Sequence, residues 1–420
     1  MIDTICIFEG IHHKDLFPLV HIRPTFDLRC GILNLRDKII RHYPDVTVNL
    51  HCRSYLAEHI KQRNPKLIVN DLHSDGCLFI DGRVVADYDF GSKIPLQGDD
   101  KLYVNGNTII AARITGERLE DFKKHLWDTI PASAFDGLEK EEVDVNYVHY
   151  PWELIQNNGR EILEDYKYLT KDLSELINST INAGVNIVNR ENIYIGNNVN
   201  ITPGAVLDAS DGPIYIADEV KIMANACVRG PLFIGKNSIV KMGAKIYENT
   251  SIGNVCKVGG EIEDSIIHSY SNKQHDGFLG HSYLGAWVNL GADTNSSDLK
   301  SNYGNIKVVI NDEVVDSKSQ FVGSIIGDHS KTSINTMLNT GTVIGISCNV
   351  YGSGFPPKYM PSFSWGGSEG VTTYNLDKCL EVAERVMKRR NIKISDDAKT
   401  LISKVFELTK EERHTRGMPY

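Results

Sequence analysis

Aliphatic side chains recur at every sixth position through the second half of the chain, and this period constrains the fold more than any other feature. One unbroken run comprises Ile216, Ile222, Val228, Ile234, Val240, Ile246, Ile252 and Val258. An α-helix repeats every 3.6 residues or so and a strand every two, so neither element places each sixth residue on one face. The period predicts a left-handed parallel β-helix, in which each coil has three short faces and one aliphatic per face points inward.

Two shorter runs extend the same period on either side. They comprise Ile195, Ile201 and Leu207 before it, and Ile326, Thr332, Leu338, Ile344 and Val350 after it. The period breaks at 208–213 and again at 293–320, where we expect loops to leave the coil. Such loops are common places for binding residues. We therefore predict a solenoid over residues 184–365, with a functional excursion near its middle.

The first part of the chain has a different pattern and predicts an α/β, Rossmann-like domain over residues 1–158. Its expected elements are a strand at 5–8, a helix at 32–43, a strand at 46–50 and a helix at 53–63. The pairs Asp81-Gly82 and Asn105-Gly106 each stand between apolar runs, which is typical of β-hairpin turns.

Helices are expected on both sides of the solenoid. A polar stretch at 159–183 predicts a helical linker, and a C-terminal tail at 366–420 predicts helices near 375–390 and 396–411. Because the last coil of a solenoid needs a cap, we expect the tail to cap the coil or to pack between subunits.

Composition excludes several function classes. The 420 residues include 45 Lys+Arg and 54 Asp+Glu, giving a net charge of −9 without a basic stripe for nucleic acid. No apolar run approaches the roughly 18 residues of a membrane span, and the N-terminus lacks the pattern of a secretory signal. The eight cysteines have no zinc-site spacing, so we expect reduced thiols in a cytoplasmic protein.

Residues 273–307 contain the densest set of chemically active side chains. The ordered pieces are Lys273, His275, Phe278–His281, Val288–Ala292, Thr294, Asn302–Tyr303 and Lys307. This order resembles the acetyltransferase half of the bifunctional glucosamine-1-phosphate N-acetyltransferase / N-acetylglucosamine-1-phosphate uridylyltransferase family, in its archaeal and Bacteroidetes-type branch. The resemblance implies a nucleotidyltransferase domain followed by a left-handed β-helix, assembled as a homotrimer with acetyl-CoA sites between solenoids.

Acetyl transfer from a thioester to an amine requires a base, because a protonated amine has no lone pair for attack. Histidine titrates near neutral pH and suits this role. The resemblance assigns it to His275, with His281 as the alternative. The oxyanion of the intermediate needs donors, for which Asn289 and the backbone near Gly291 and Ala292 are candidates.

The resemblance also implies ligands for the two substrates. The sugar phosphate would be bound by Lys273, Asn289, Asn302, Tyr303 and Lys307, and acetyl-CoA by Gly291, Ala292 and Ser333. Ser333, with Lys331, is expected to face the same groove. Phe278 departs from the family, because many members have a phosphate-binding tyrosine at this position.

The N-terminal loop also departs from the glycine-rich loop of sugar nucleotidyltransferases, since only Gly10 remains. Arg23, Arg29 and Lys38 are expected to bind nucleotide phosphates, the alternative being a solvated helix entry. Asp81 is expected to hold Mg²⁺ with UTP, the alternative being that Asp81-Gly82 is only a hairpin turn.

These observations predict an enzyme that acetylates an amino-sugar 1-phosphate, such as glucosamine 1-phosphate, and joins the product to UTP to give a UDP-sugar. Small molecules are its expected partners, with no nucleic acid and no membrane. The alternatives are a single-activity enzyme with a weakened N-terminal domain, and a solenoid that serves only as a trimerisation scaffold.

Overall fold

The computed structural model describes residues 2–125, 127–171 and 178–418. Its N-terminal domain contains a seven-stranded sheet in the order β3-β2-β1-β4-β6-β5-β7, in which β3, β2, β1 and β4 are parallel. The strands are β1 Thr4–Phe8, β2 Thr47–His51, β3 Ile68–Val69, β4 Gly76–Asp81, β5 Lys101–Asn105, β6 Thr108–Thr115 and β7 Lys140–Glu142. Both β1 and β4 are buried along their whole length, because helices and loops cover both faces of the sheet.

The α-helices of this domain are α1 Leu35–Ile40, α2 Ser54–Arg63, α3 Phe90–Lys93, α4 Gly116–Lys123 and α5 Pro151–Thr170. Short 3-10 helices cover Ile11–Leu16, Thr25–Asp27 and Ala132–Phe135. The predicted order of strand, helix, strand and helix is confirmed by β1, α1, β2 and α2.

The two predicted hairpins have different outcomes. Strands β5 and β6 form an antiparallel pair around Asn105-Gly106, as predicted. The hairpin predicted at Asp81-Gly82 is wrong. Strand β4 ends at Asp81 and pairs with β1 and β6, while Val84, after the turn, forms a bridge with Tyr147. Asp81 therefore lies at the carboxyl end of a parallel strand.

Parallel strands from residue 180 onward form a three-sided prism, which confirms the left-handed β-helix. Face 1 contains Ile193–Ile195, Ile214–Ile216, Leu232–Ile234, Thr250–Ile252, Ile266–Ile267, Tyr283–Leu284, Ile325–Ile326, Val343–Ile344 and Tyr359–Met360. Face 2 contains Thr180–Ile181, Asn200–Ile201, Lys221–Ile222, Ile239–Val240, Lys257–Val258, Asn272–Lys273, Lys331–Thr332, Asn349–Val350 and Ser364–Gly367. Face 3 contains Asn186–Val188, Val206–Asp208, Cys227–Arg229, Lys245–Ile246, Glu261–Glu263, Phe278–Gly280, Asn295–Ser296 and Met337–Leu338.

The aliphatics of the predicted hexads stack inside the prism. Ile216, Ile234 and Ile252 are in register on face 1, and all eight residues of the long run are buried in one core. The coil does not stop at Val258. It continues with shorter corners, which place Ile262, Ile267, Lys273, Leu279 and Leu284 at successive inward positions.

An excursion leaves face 3 after Ser296 and returns to face 1 at Ile325, as the break in the period predicted. It carries an antiparallel hairpin, Lys307–Ile310 with Glu313–Asp316. The inner side of this hairpin packs against Leu16, Leu19 and Val20 of the N-terminal domain. The shorter loop between Asp208 and Ile214 is also present.

Helix α5 and the loop before α1 dock the N-terminal domain on face 1. The backbone N–H of Arg29 donates to Tyr283 Oη at 3.0 Å, and Ser251 Oγ donates to the carbonyl of Gly31 at 2.8 Å. Asn158 Nδ2 donates to the carbonyl of Asn249 at 2.7 Å. These bonds fix face 1 of the prism against the N-terminal domain.

The predicted linker differs from the structure. Its helix begins at Pro151 and ends at Thr170, and the part of the prediction at 172–177 lies outside the described residues. The tail contains the hairpin strand Gly370–Thr373 and the helices α6 Leu376–Lys388, α7 Asp396–Leu408 and α8 Lys410–Thr415. Helix α7 packs on α2, and its Phe406 meets Phe363 of the last coil edge to face.

Two further sequence expectations concern membranes and cysteines. In the described part of the chain, no helix is long and apolar enough to cross a membrane. All eight cysteines are described, and each has a free thiol.

Candidate active site

His275 lies on the edge between faces 2 and 3, called edge 2–3. Its corner is followed in the next coil by Gly291 and Ala292, and in the coil after that by Ser333 and Ile334. Backbone bonds from Asp293 N to the Asp276 carbonyl (3.1 Å) and from Asn335 N to the Ala292 carbonyl (2.8 Å) stack the three corners. The structure thus brings the predicted base and the predicted acetyl-CoA residues onto one edge, where the side chain of His275 is exposed.

Lys273 does not face the sugar side of this edge, so its predicted role in phosphate binding is wrong. It follows Val258 in the inward stack of face 2 and is 1% exposed. Its Nζ donates to the carbonyls of His275 (2.6 Å), Gly259 (3.1 Å) and Asp276 (3.3 Å). Burial lowers the pKa of Lys273 to about 8. The residue holds the corner of His275 from inside the prism.

The other predicted sugar ligands lie on two parts of the prism. Asn289 lies on face 2, where its Oδ1 accepts a bond from Asn272 Nδ2 at 3.2 Å. Asn302, Tyr303 and Lys307 lie on the excursion, which begins at the edge between faces 3 and 1, and all three are exposed. A single chain therefore places Asn302, Tyr303 and Lys307 on a different edge from the predicted base.

The alternative base, His281, lies on edge 3–1 beside a group of carboxylates. Its Nδ1 is 2.8 Å from Asp298 Oδ2, and its ring stacks on Phe321 with the centroids 4.8 Å apart. Burial lowers the pKa of His281, but the Asp298 hydrogen bond and the charges of Asp264 and Asp298 outweigh it and raise the pKa. This imidazole is oriented by a carboxylate, as a positioned acid or base would be.

Two carboxylates lie at the carboxyl ends of the parallel strands, where open α/β sheets bind ligands. Asp81, the predicted Mg²⁺ ligand, is buried and accepts bonds from Arg83 N (2.8 Å), Nε (3.1 Å) and Nη2 (2.9 Å). Glu9 accepts bonds from Arg53 Nε (3.0 Å) and Nη2 (3.1 Å). Each carboxylate is therefore neutralised by an arginine of its own domain.

The predicted phosphate ligands do not converge on Asp81. Lys38 is 0% exposed and donates to both oxygens of Asp165 at 2.6 Å, with Glu161 at 2.9 Å, so its predicted role in nucleotide binding is wrong. Arg23 forms an ion pair with Asp328 of the solenoid. Arg29 reaches the same region between the domains and donates to the carbonyl of Ile32.

Sequence reasoning missed three partners that define these sites. Arg83 could have been found, because it stands two positions after Asp81 in a tight turn. Nothing in the sequence indicates the pairing of Arg53 with Glu9 or of Asp298 with His281, since each pair forms only when separate elements fold together.

Comparison with known proteins shows similarity over parts of the chain. Residues 5–174 match the model of a family described as sugar nucleotidyl transferase. A bifunctional GlmU protein of Synechococcus sp. (strain CC9311) is 26% identical over 194 residues, which is 45% of this chain and 38% of the relative. The chain thus aligns with less than half the length of this relative.

Two other likenesses are weaker. A bifunctional sugar-1-phosphate nucleotidylyltransferase/acetyltransferase of Sulfurisphaera tokodaii is 28% identical over 117 residues, 28% of each chain. A solved UDP-N-acetylglucosamine acyltransferase covers 57% of this chain and 91% of its own, with 16% identity and a TM-score of 0.27, too low to support a conclusion. Residues 5–174 are thus similar to sugar nucleotidyl transferases, and about half of the chain or less aligns with part of the bifunctional GlmU proteins.

Proposed function

We propose that the solenoid transfers the acetyl group of acetyl-CoA to the amine of an amino-sugar 1-phosphate, with glucosamine 1-phosphate as the substrate. The N-terminal domain then joins the product to UTP and releases pyrophosphate, giving a UDP-sugar such as UDP-N-acetylglucosamine. The observation that carries the proposal is the exposed His275 beneath the stacked corners of Ala292 and Ser333 on edge 2–3. Both activities suit a cytoplasmic enzyme.

In the acetyl transfer, the amine nitrogen attacks the thioester carbonyl carbon and the carbon–sulfur bond breaks. His275 accepts the proton that the amine loses and returns it to the departing thiolate, which gives coenzyme A. The backbone N–H groups near Gly291 and Ala292 are suited to stabilise the oxyanion of the intermediate. Lys273 does not touch the substrate; it positions the His275 corner through the backbone.

The sugar ligands have to come from a neighbouring chain, because Asn302 and Tyr303 lie on another edge of the same prism. A homotrimer of parallel prisms would supply them. Edge 2–3 carries exposed apolar side chains that suit such packing: Met242 is 65% exposed and Ile334 68% exposed. Asn302, Tyr303, Lys307 and Asn289 remain proposed ligands of the sugar phosphate in that assembly.

The proposal is tested by His275→Ala, with exposed His73→Ala as the matched control. We expect H275A to lower kcat for acetyl transfer by a factor of about 10² to 10⁴ while H73A has no effect. Mixing H275A chains with N302A chains under conditions that exchange subunits should restore part of the activity if the site is shared. Full activity of H275A would overturn the proposed base, and a lack of complementation would overturn the shared site.

A single-activity acetyltransferase is the second candidate, and one observation favours it. Arg83 donates to both oxygens of the Asp81 carboxylate, which leaves neither of them free for a cation, so Mg²⁺ does not fit there. Pyrophosphate release from UTP and a sugar 1-phosphate decides between the candidates. Release by the wild type supports the bifunctional enzyme, and no release supports the second candidate.

A further inference from the structure

A cavity of about 680 Å³ lies where three parts of the chain meet. These parts are the solenoid edge between faces 1 and 2, the tail between α6 and α7, and the N-terminal domain, which contributes its loop around residues 22–36 and the end of α2. Its volume lies within the range of roughly 300–1,000 Å³ that is usual for small-molecule sites. Its walls carry the cations Arg23, Arg29, Arg36, Arg63 and Lys393, the three carboxylates Asp27, Asp328 and Asp397, and the rings of Tyr270, Trp287 and His329. Asp27 pairs with Arg36, Asp328 with Arg23 and Asp397 with His59, so Arg29, Arg63 and Lys393 are the cations left for a ligand.

Arg29 is a buried cation that the described residues do not neutralise. It is 8% exposed, its guanidinium lies 5.1 Å over the ring of Phe233, and one terminal nitrogen donates to the carbonyl of Ile32. No described carboxylate forms an ion pair with it, and its Nε has no hydrogen-bond partner. Burial lowers the pKa of Arg29. An unpaired buried charge is costly, and an anion in the cavity would offset that cost.

Other polar atoms in the cavity wall also lack partners. Arg23 pairs with Asp328, yet Arg23 Nε and Asp328 Oδ2 remain without hydrogen bonds among the described residues, as does His329 Nδ1. All three residues are more than nine-tenths buried. At the mouth, Arg63 and Lys393 are exposed, and neither forms an ion pair with a described residue.

One side of the cavity is a ladder of flat rings. Tyr270, Trp287 and His329 occupy equivalent corners in three successive coils, with φ of 68°, 62° and 61°. The first two rings stack with centroids 4.3 Å apart, and the Trp287 and His329 centroids are 6.1 Å apart. This ladder offers a planar group an apolar contact surface beside the arginines.

We propose that this cavity binds a phosphate-bearing ligand of nucleotide size, with its phosphates at Arg29, Arg63 and Lys393 and its ring along the Tyr270–Trp287–His329 ladder. The guanidinium is the side chain best suited to phosphate. This site is separate from edge 2–3 and from Asp81, so it goes beyond the proposed acetyl and nucleotidyl transfer. UTP and coenzyme A both carry the required chemistry, and inorganic pyrophosphate carries only the anionic part.

Calorimetric titration of the full chain with pyrophosphate, UTP and coenzyme A separates these sources. Comparable dissociation constants for all three would support a site that recognises only the phosphates. Tighter binding of UTP or coenzyme A would show that the site also recognises the base of the nucleotide. In each supporting case Arg63→Gln should weaken binding about tenfold, because it removes a charge at the mouth. The proposal is overturned if no probe binds at millimolar concentration, or if R63Q binds as the wild type does.

Arg29→Met distinguishes a ligand site from a structural arginine. We expect R29M to unfold at a higher temperature than the wild type without ligand, and to lose the rise in unfolding temperature that the best probe produces. The matched control is Arg113→Met, because Arg113 is also buried but donates to the carbonyls of Pro95, Gln97 and Asp99 away from the cavity. R113M should be destabilised yet respond to the probe. An R29M variant that is destabilised and still responds contradicts the proposal.

Discussion

The ammonium of Lys273 donates to the carbonyl of His275 at 2.6 Å, from an inward position of the solenoid to the corner that carries the proposed base. A lysine in a stack of aliphatics is costly to bury, and its bonds to three corner carbonyls offset part of that cost. The interior of the prism and the chemistry on its surface are thereby connected through one side chain.

The first prediction concerns this lysine and pH. The pKa of Lys273 falls from 10.5 to about 8 on folding, so between these values the unfolded chain binds more protons and stability rises with pH. Lys273→Met removes this titrating group. Between pH 8 and 10.5 we therefore expect the free energy of unfolding of the wild type to rise by about 3 kcal/mol relative to that of K273M. Denaturant titrations of both proteins across this range measure the difference, and parallel pH profiles would contradict it.

The second prediction concerns His281 and Asp298. The pKa of His281 is raised on folding, so the stabilisation is fully present below the ordinary value of 6.5 and is lost as pH rises through the folded-state pKa. Asp298→Asn should therefore cost about 1–2 kcal/mol at pH 5.5 and less at pH 9. NMR titration of the His281 ring should also show a lower pKa in D298N; an unchanged pKa would exclude Asp298 as its cause.

The third prediction concerns the buried Glu9–Arg53 pair beside the parallel strands. Arg53→Met leaves Glu9 buried without its cation and should cost about 3–5 kcal/mol. The double variant with Glu9→Gln removes both charges and should recover most of this loss. Urea unfolding of the two variants provides the comparison. Equal losses in the single and double variants would mean that Arg53 acts mainly through its bonds to the carbonyls of Val20 and Arg23.

The fourth prediction separates a structural lysine from a phosphate ligand. Lys38→Met removes the cation between Asp165 and Glu161, and we expect a loss of about 3–5 kcal/mol in the free energy of unfolding. The affinity of the folded variant for UTP, measured by calorimetry at a temperature where it remains native, should equal that of the wild type. Weaker UTP binding would restore Lys38 as a nucleotide ligand.

Much of the prism could be predicted because its core obeys a local rule. Each sixth residue from Ile216 to Val258 points inward, and turns between faces need few residues. The rule failed when corners shortened after Val258, because Ile262 and Ile267 then fall out of the period. The period alone therefore indicates a surface lysine at position 273, although the inward stack of face 2 continues through this residue.

The candidate sites were less predictable, because their partners are distant in sequence. Asp328 and Arg23 are brought together only when the N-terminal domain docks on face 1. The family resemblance implied a metal-binding role for Asp81, but whether its carboxylate is free depends on the turn that returns Arg83 to it. Local sequence patterns indicate helices and strands. The ion pairs that neutralise a site form only when distant parts of the chain pack together.

The tail covers one end of the prism and leaves the other end exposed. At the last coil, the strand Gly370–Thr373 folds back on Ser364–Gly367 and α7 closes over Phe363, whereas the first strands, from Thr180 to Val188, are largely exposed. Endless head-to-tail growth into a fibre needs an adhesive surface at both ends. A prism whose last coil is capped cannot grow in this way. The tail thus prevents the open strand edges of one prism from pairing with those of the next.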